Sequence, residues 1–125
     1  MGLFGTTEAT EGLTDIVAAK VEMMKQGQVV EATETYFADN AETSDFSGAK
    51  TANKSEMIEK MKGFTSGIQK VNGITHHNTA VNGDVSFLEF TFDFDMSDGS
   101  KILWHEVIRS VWKEEKIVSE KYFQA

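Results

Sequence analysis

The sequence predicts an α+β fold, in which three helices precede a four-stranded meander and pack on a curved, mainly antiparallel sheet. In the first half of the chain, apolar residues recur every three or four positions, which is the spacing of an amphipathic helix. From residue 74 onwards, apolar and polar residues alternate, which indicates strands. Helices that come before strands, without βαβ alternation, are typical of α+β proteins.

The first helix is predicted to begin at Leu13 and to end before Gly27, because glycine commonly follows the last helical turn. Lys20 falls among the polar residues between its apolar positions. Residues 1–12 are small, polar and glycine-bearing, which predicts a flexible N-terminus. The length of 125 residues suits one domain, which we assign to residues 13–125.

The next two helices flank a short extended segment. The second helix is predicted over residues 28–38, and the extended segment over 41–46. The third helix has the clearest start, because Asn53 can cap it and Glu56 stands three residues later, as in a capping box.

The second half of the chain consists of strands joined by tight turns. Four strands are predicted, at Ile74–Val81, Val85–Met96, Lys101–Lys113 and Lys116–Gln124. Asn82-Gly83 between the first two is a strong hairpin signal. Alternation along the second strand puts a row of phenylalanines on one face, which we expect to point toward the helices.

Composition excludes several functional classes. The chain has 12 Lys and Arg against 20 Asp and Glu, a formal net charge of −8. Nucleic acids require a basic surface and an anionic membrane would repel this chain, so neither partner is expected. The absence of cysteine excludes disulfides, thiolate metal sites and cysteine nucleophiles. No basic and apolar leader precedes the first helix, so a cytoplasmic protein is expected.

Several local motifs, taken in order, resemble one known superfamily. They are Glu34–Ala41, Asp45–Gly48, Asn82–Asp84, Trp112–Val118 and the closing Tyr122-Phe123. Across residues 13–124 the chain resembles NTF2-like (cystatin-like) proteins, and most closely the SnoaL-like polyketide cyclases and ketosteroid isomerases. The resemblance implies a cone-shaped domain with an internal pocket for a small hydrophobic molecule, and a homodimer packed through the outer sheet face. It implies no cofactor and no metal.

Asp45 is the first candidate catalytic residue. The resemblance places it where ketosteroid isomerases carry their proton-transferring base, although the proline of that motif is missing. A carboxylate at the mouth of an apolar cavity would have a raised pKa and could shuttle a proton. The alternative is a solvated turn residue. The positions of the isomerase oxyanion hole fall near Val21 and Ile108, which are apolar, so steroid isomerisation is disfavoured.

Glu106 is the second candidate. The more apolar face of its strand carries Trp104 and Ile108 on either side of it, so we expect this face, and Glu106 with it, to be buried. A buried carboxylate must be paired or protonated, which makes Glu106 either a catalytic acid/base or a structural partner of a buried donor. The opposite facing would bring His105 and Arg109 into the pocket instead.

His77 is the third candidate. His76 and His77 are adjacent on a strand, so they point to opposite faces and cannot bind one metal together. A two-residue turn at Asn82-Gly83 would place His77 opposite Leu88 and inside. A longer loop with a bulge would place His76 opposite Phe90.

These residues predict an apolar pocket with a few acid/base groups. Its walls are predicted to include Val21, Tyr36, Phe37, Phe64, Leu88, Phe90, Phe92, Trp104, Ile108 and Trp112. The expected function is cofactor-free acid/base chemistry of the isomerase, cyclase or dehydratase type, on a hydrophobic carbonyl or polyketide-like compound. The alternative is a non-catalytic ligand-binding or dimerisation module of the same fold.

Overall fold

The computed structural model describes residues 2–125, with side chains from Gly12 onward. The helices are α1 (Gly2–Lys25), α2 (Val29–Tyr36) and α3 (Lys54–Ser66). The strands are β1 (Phe37–Ser44), β2 (Lys50–Thr51), β3 (Ile68–Asn82), β4 (Val85–Met96), β5 (Lys101–Lys113) and β6 (Lys116–Gln124). Three helices on one six-stranded sheet confirm the predicted α+β class.

The sheet has the strand order β2-β1-β6-β5-β4-β3. All neighbours are antiparallel except β1 and β6, which run parallel. The meander β3–β6 is the predicted one, and β4, β5 and β6 have the predicted bounds. β3 begins at Ile68, six residues before the predicted start at Ile74. Its pairing with β4 shifts between Val71 and Gly73, so an irregularity inside the longer strand lies just before the predicted start.

The helix ends follow their local chemistry. α1 begins at Gly2, before the predicted start at Leu13, and Gly27 follows its end with a positive φ of 82°. The predicted flexible N-terminus stays a prediction, because Met1 and the side chains of residues 2–11 lie outside the described part of the chain. At α3, Asn53 Oδ1 accepts from the Glu56 amide at 2.9 Å, as the capping box predicted.

The core lies between α1 and the inner face of the meander. Leu88, Phe90, Phe92 and Phe94 are buried along β4, so the predicted inward row of apolar side chains is confirmed. Each such side chain contributes about 2 kcal/mol on burial. In the part of the chain that the structure describes, no helix combines the length and apolar character needed to cross a bilayer.

Candidate functional site

A cavity of about 630 Å³ lies between the three helices and the inner face of the sheet. This volume is within the roughly 300–1,000 Å³ common for small-molecule sites. Its walls are mainly apolar, and include Met24, Met57, Met61, Phe64, Ile68, Ile74, Phe92, Phe94, Trp104 and Ile108. The rings of Phe64 and Trp104 stack with centroids 5.0 Å apart. A flat apolar molecule is the shape of ligand that such walls suit.

The predicted wall residues divide into two groups. Phe64, Phe92, Trp104 and Ile108 line the cavity. The predictions for Val21, Tyr36, Phe37, Leu88, Phe90 and Trp112 are wrong, because these residues belong to the packed core beside the cavity. Alternation along a strand fixes the face on which a side chain lies. It does not fix whether the helices fill the space above that face or leave it open.

Glu106 projects from β5 into this cavity. Its residue is only 7% exposed, and Phe90 is its partner on the neighbouring strand. The predicted inward facing of Glu106 is therefore confirmed. Among the described residues, no side chain forms a hydrogen bond or an ion pair with its carboxyl group. Glu106 thus reaches an apolar cavity with its hydrogen-bonding capacity free for a ligand.

Glu120 on β6 is a second buried carboxylate, but it is fully engaged. Ser110 Oγ donates to its Oε2 at 2.6 Å and Tyr122 OH donates to its Oε1 at 2.6 Å. Lys20 Nζ, on α1, lies 3.4 Å from Oε2. Lys20 and Glu120 are both almost completely buried. We call Lys20, Glu106, Glu120 and Tyr122 the cavity floor.

Burial and the Glu120 charge influence two other titratable groups of the floor, Glu106 and Tyr122. Burial, followed by repulsion from the Glu120 charge, raises the pKa of Glu106 to about 7. Burial, and then the adjacent Glu120 charge, also raises the pKa of Tyr122 well above its usual value. Glu120 is held by three donors, whereas Glu106 can gain or lose a proton near neutral pH.

Asp45 lies at the cavity rim, in the turn after β1. Its Oδ1 accepts from Ser47 Oγ at 2.6 Å and from the amides of Ser47 and Ala49 at 2.9 and 3.0 Å. Lys60 Nζ, on α3, lies 2.9 Å from Oδ2. The Ser47 hydroxyl first, and then Lys60 and the Ser47 amide, lower the pKa of Asp45 to about 2. The predicted raised pKa is wrong, and the alternative of a turn residue describes Asp45.

His77 lies outside the cavity. The β3–β4 pairing shifts between His76 and Asn78, so His77 is the extra residue of a bulge, while His76 lies opposite Phe90. His77 is exposed, and its Nε2 lies 2.7 Å from Thr91 Oγ1 on the outer face of the sheet. The favoured inward placement of His77 is therefore wrong. The alternative is correct in placing His76 opposite Phe90, but the turn has only two residues, Gly83-Asp84, and the bulge lies within the strand.

The floor contains residues that sequence reasoning missed. The sequence pattern places Lys20 among the polar residues between the apolar positions of α1. Its spacing from Leu13, Val17 and Met24 nevertheless puts it on the buried side of the helix. Glu120 and Tyr122 alternate on β6 in phase with its inward face. A charged residue at an apolar helical position was the signal that could have identified this network.

The described side chains contain no cluster of three or more acidic, histidine or cysteine residues that could hold a metal ion. The charged groups that line the cavity are Lys20, Asp45, Lys60, Glu106 and Glu120. Among the described lining residues, four of these form two ion pairs, and Glu106 is the charged group outside them.

Solved structures share this architecture. A Mesorhizobium loti protein named as a SnoaL-like polyketide cyclase is 25% identical with a TM-score of 0.80, over 89% of this chain and 97% of that one. A Catenulispora acidiphila protein with a ketosteroid isomerase-like fold, crystallised with trimethylamine, is 18% identical with a TM-score of 0.72, over 88% and 85%. An NTF2-like protein of unknown function from Burkholderia pseudomallei is 10% identical with a TM-score of 0.74, over 90% and 89%.

No protein-family model and no curated protein sequence matches this chain. The structural likenesses agree with the motifs found along the sequence, and they extend over most of the chain. The protein therefore has the NTF2-like fold, in the form found in SnoaL-like polyketide cyclases and ketosteroid isomerase-like proteins.

Proposed function

We propose that the protein binds a small hydrophobic carbonyl or polyketide-like compound in its cavity and catalyses a cofactor-free proton transfer on it. The observation that carries this proposal is the carboxyl group of Glu106, which is buried, has no hydrogen-bond or ion-pair partner among the described side chains, and is directed into the cavity. A general acid/base works best when its pKa lies near the operating pH, and the pKa of Glu106 is about 7.

In this reaction the ionised Glu106 takes a proton from the carbon next to the ligand carbonyl. The C–H electron pair forms a carbon–carbon double bond while the carbonyl π pair moves onto oxygen, which gives an enolate. The protonated Glu106 then returns the proton to the same carbon or, where a conjugated double bond extends the enolate, to its far carbon. The developing oxyanion needs a donor. Lys20 Nζ lines the floor, and of its three N–H bonds one is directed to Glu120. Lys20 can therefore donate to the oxyanion, where the apolar Val21 and Ile108 cannot.

Hydrogen–deuterium exchange into a model ketone tests the proposal. The protein in deuterium oxide should accelerate loss of the α-proton signals of 2-tetralone, followed by proton NMR. Glu106→Gln should reduce this acceleration by a factor of about 100 or more, because the base is removed. Glu59→Gln is the matched control, since Glu59 is exposed on α3 and lies outside the cavity. Equal exchange rates for the wild type and Glu106→Gln would refute the proposed role.

A non-catalytic ligand-binding module is the second candidate function. It is favoured by the hydrogen bonding of Asp45, which occupies the position of the isomerase base but is held as a turn residue. The neighbour crystallised with trimethylamine supports binding of small molecules by this fold. Under this alternative, 2-tetralone would bind and shift the resonances of cavity residues, but its α-protons would exchange no faster than in buffer.

We also propose a homodimer packed through the outer face of the sheet, in a cytoplasmic setting. Leu103 is 70% exposed on β5, and Phe87 and Phe123 are exposed on the same face of β4 and β6. Apolar side chains gathered on one face favour association. Light scattering should give twice the chain mass for the wild type and a smaller value for Leu103→Asp. A monomeric wild type would exclude this arrangement.

A further inference from the structure

The described residues that line the cavity include one more carboxylate than lysine. Among the described lining residues there are three carboxylates, Asp45, Glu106 and Glu120, and two lysines, Lys20 and Lys60. Lys60 pairs with Asp45 at 2.9 Å and Lys20 pairs with Glu120 at 3.4 Å. Glu106 remains without a cation. A buried carboxylate without a partner is costly, and a counter-ion placed beside it would remove that cost.

We propose that the missing counter-ion belongs to the ligand, so that the cavity binds a hydrophobic molecule that carries a protonated amine beside Glu106. The two described lining lysines each pair with another carboxylate, so none of the described lining residues supplies a cation to Glu106. A net charge of −8 on the whole chain also attracts cations.

The surroundings of Glu106 fit such a ligand. On the same face of the sheet, Trp104 lies two residues away on β5, and its ring stacks with Phe64. Aromatic faces attract ammonium groups and also pack against the apolar body of an amine. An ammonium group would favour the ionised form of Glu106, which is the form that accepts a proton. This inference rests on the proposed function only in treating the cavity as a small-molecule site.

Three probes of one shape separate the effect of charge from that of apolar area. They are 2-naphthylmethylamine, which is protonated at neutral pH, the uncharged 2-naphthylmethanol and the anionic 2-naphthoate. We expect the wild type, in calorimetric titrations at about pH 8, to bind the amine at least about tenfold more tightly than the alcohol, and the carboxylate most weakly. Equal affinities for amine and alcohol in the wild type would overturn the inference, whatever happens to any variant.

Glu106→Gln should abolish the preference for the amine and leave binding of the alcohol almost unchanged. Glu59→Gln should keep the preference, because that glutamate is exposed on α3. A preference that survives in folded Glu106→Gln would assign the amine to another carboxylate and refute the inference. The ketone exchange assay reports on proton transfer alone. Its failure would refute the proposed reaction without affecting the amine result, and the reverse also holds.

Discussion

The carboxylates on the floor and at the rim of the same cavity have opposite environments and opposite pKa shifts. At the rim, Asp45 accepts three hydrogen bonds and an ion pair, and its pKa falls to about 2. On the floor, Glu106 accepts none from the described side chains, and burial raises its pKa to about 7. The pKa of a carboxylate in this cavity therefore depends on its burial and on the hydrogen-bond donors around it, and less on the sequence motif in which it occurs.

The two ion pairs of the cavity show the same contrast. In the floor pair, Lys20 and Glu120, the side chains are 4% and 5% exposed. In the rim pair, Lys60 and Asp45, they are 41% and 23% exposed. Removing one partner from a buried pair leaves an uncompensated charge away from water, whereas solvent and salt screen an exposed pair. The variants below test this difference.

Lys20→Met should have the largest effect on stability. It would leave the Glu120 carboxylate buried without its cation, and we expect a loss of about 3 kcal/mol or more in the free energy of unfolding, measured by urea denaturation near neutral pH. The double variant Lys20→Met/Glu120→Gln is the control. It should recover much of the loss, because neither charge remains. A single variant as stable as the wild type would show that the floor pair is not coupled as the structure indicates.

Glu106 should make stability depend on pH between about 4 and 8. Its pKa is about 7 in the folded protein against an ordinary value of 4.5, so the folded state holds the proton more tightly. The contribution of Glu106 to the free energy of unfolding is complete below the ordinary pKa. It is lost as the pH rises through the pKa of the folded state, which lowers the free energy of unfolding by about 3 kcal/mol. Urea denaturation of Glu106→Gln should lack this decrease. Parallel pH curves for the two proteins would contradict the raised pKa.

Asp45→Asn should lower the free energy of unfolding by about 1 kcal/mol near neutral pH, after allowance for solvent screening of this partly exposed group. The pKa of Asp45 falls from 3.8 to about 2 on folding, so its contribution is present above the ordinary pKa and lost as pH falls through the folded one. The variant and the wild type should thus converge in stability near pH 2. Slower 2-tetralone exchange in Asp45→Asn, at full folding, would restore Asp45 as a candidate base.

Much of the architecture could be predicted from local sequence, because hydrophobic periodicity and turn-forming residues determine secondary structure over a few residues. The strands β4, β5 and β6 and the Asn53 cap are of this kind. The inward face of Glu106 also followed from alternation alone.

The residues that make up the site could not be predicted from local sequence in the same way. The face of His77 depends on a bulge in a hairpin, which shifts the register by one residue. The pKa of Asp45 is lowered first by the Ser47 hydroxyl and then by Lys60, which reaches the carboxylate only when α3 packs beside the turn. Lys20 and Glu120 are 100 residues apart and meet only in the folded chain.

Lys60→Met should have the smallest effect, a loss of less than about 1 kcal/mol, because both members of the rim pair retain contact with water. The residual effect should vanish when urea denaturation is repeated in about 1 M salt, where the screening length is only about 3 Å. The effect of Lys20→Met should persist in the same salt, because ions do not reach the floor pair. If both variants respond equally to salt, the floor is more hydrated than its burial indicates, and Glu106 would then lose the desolvation that raises its pKa.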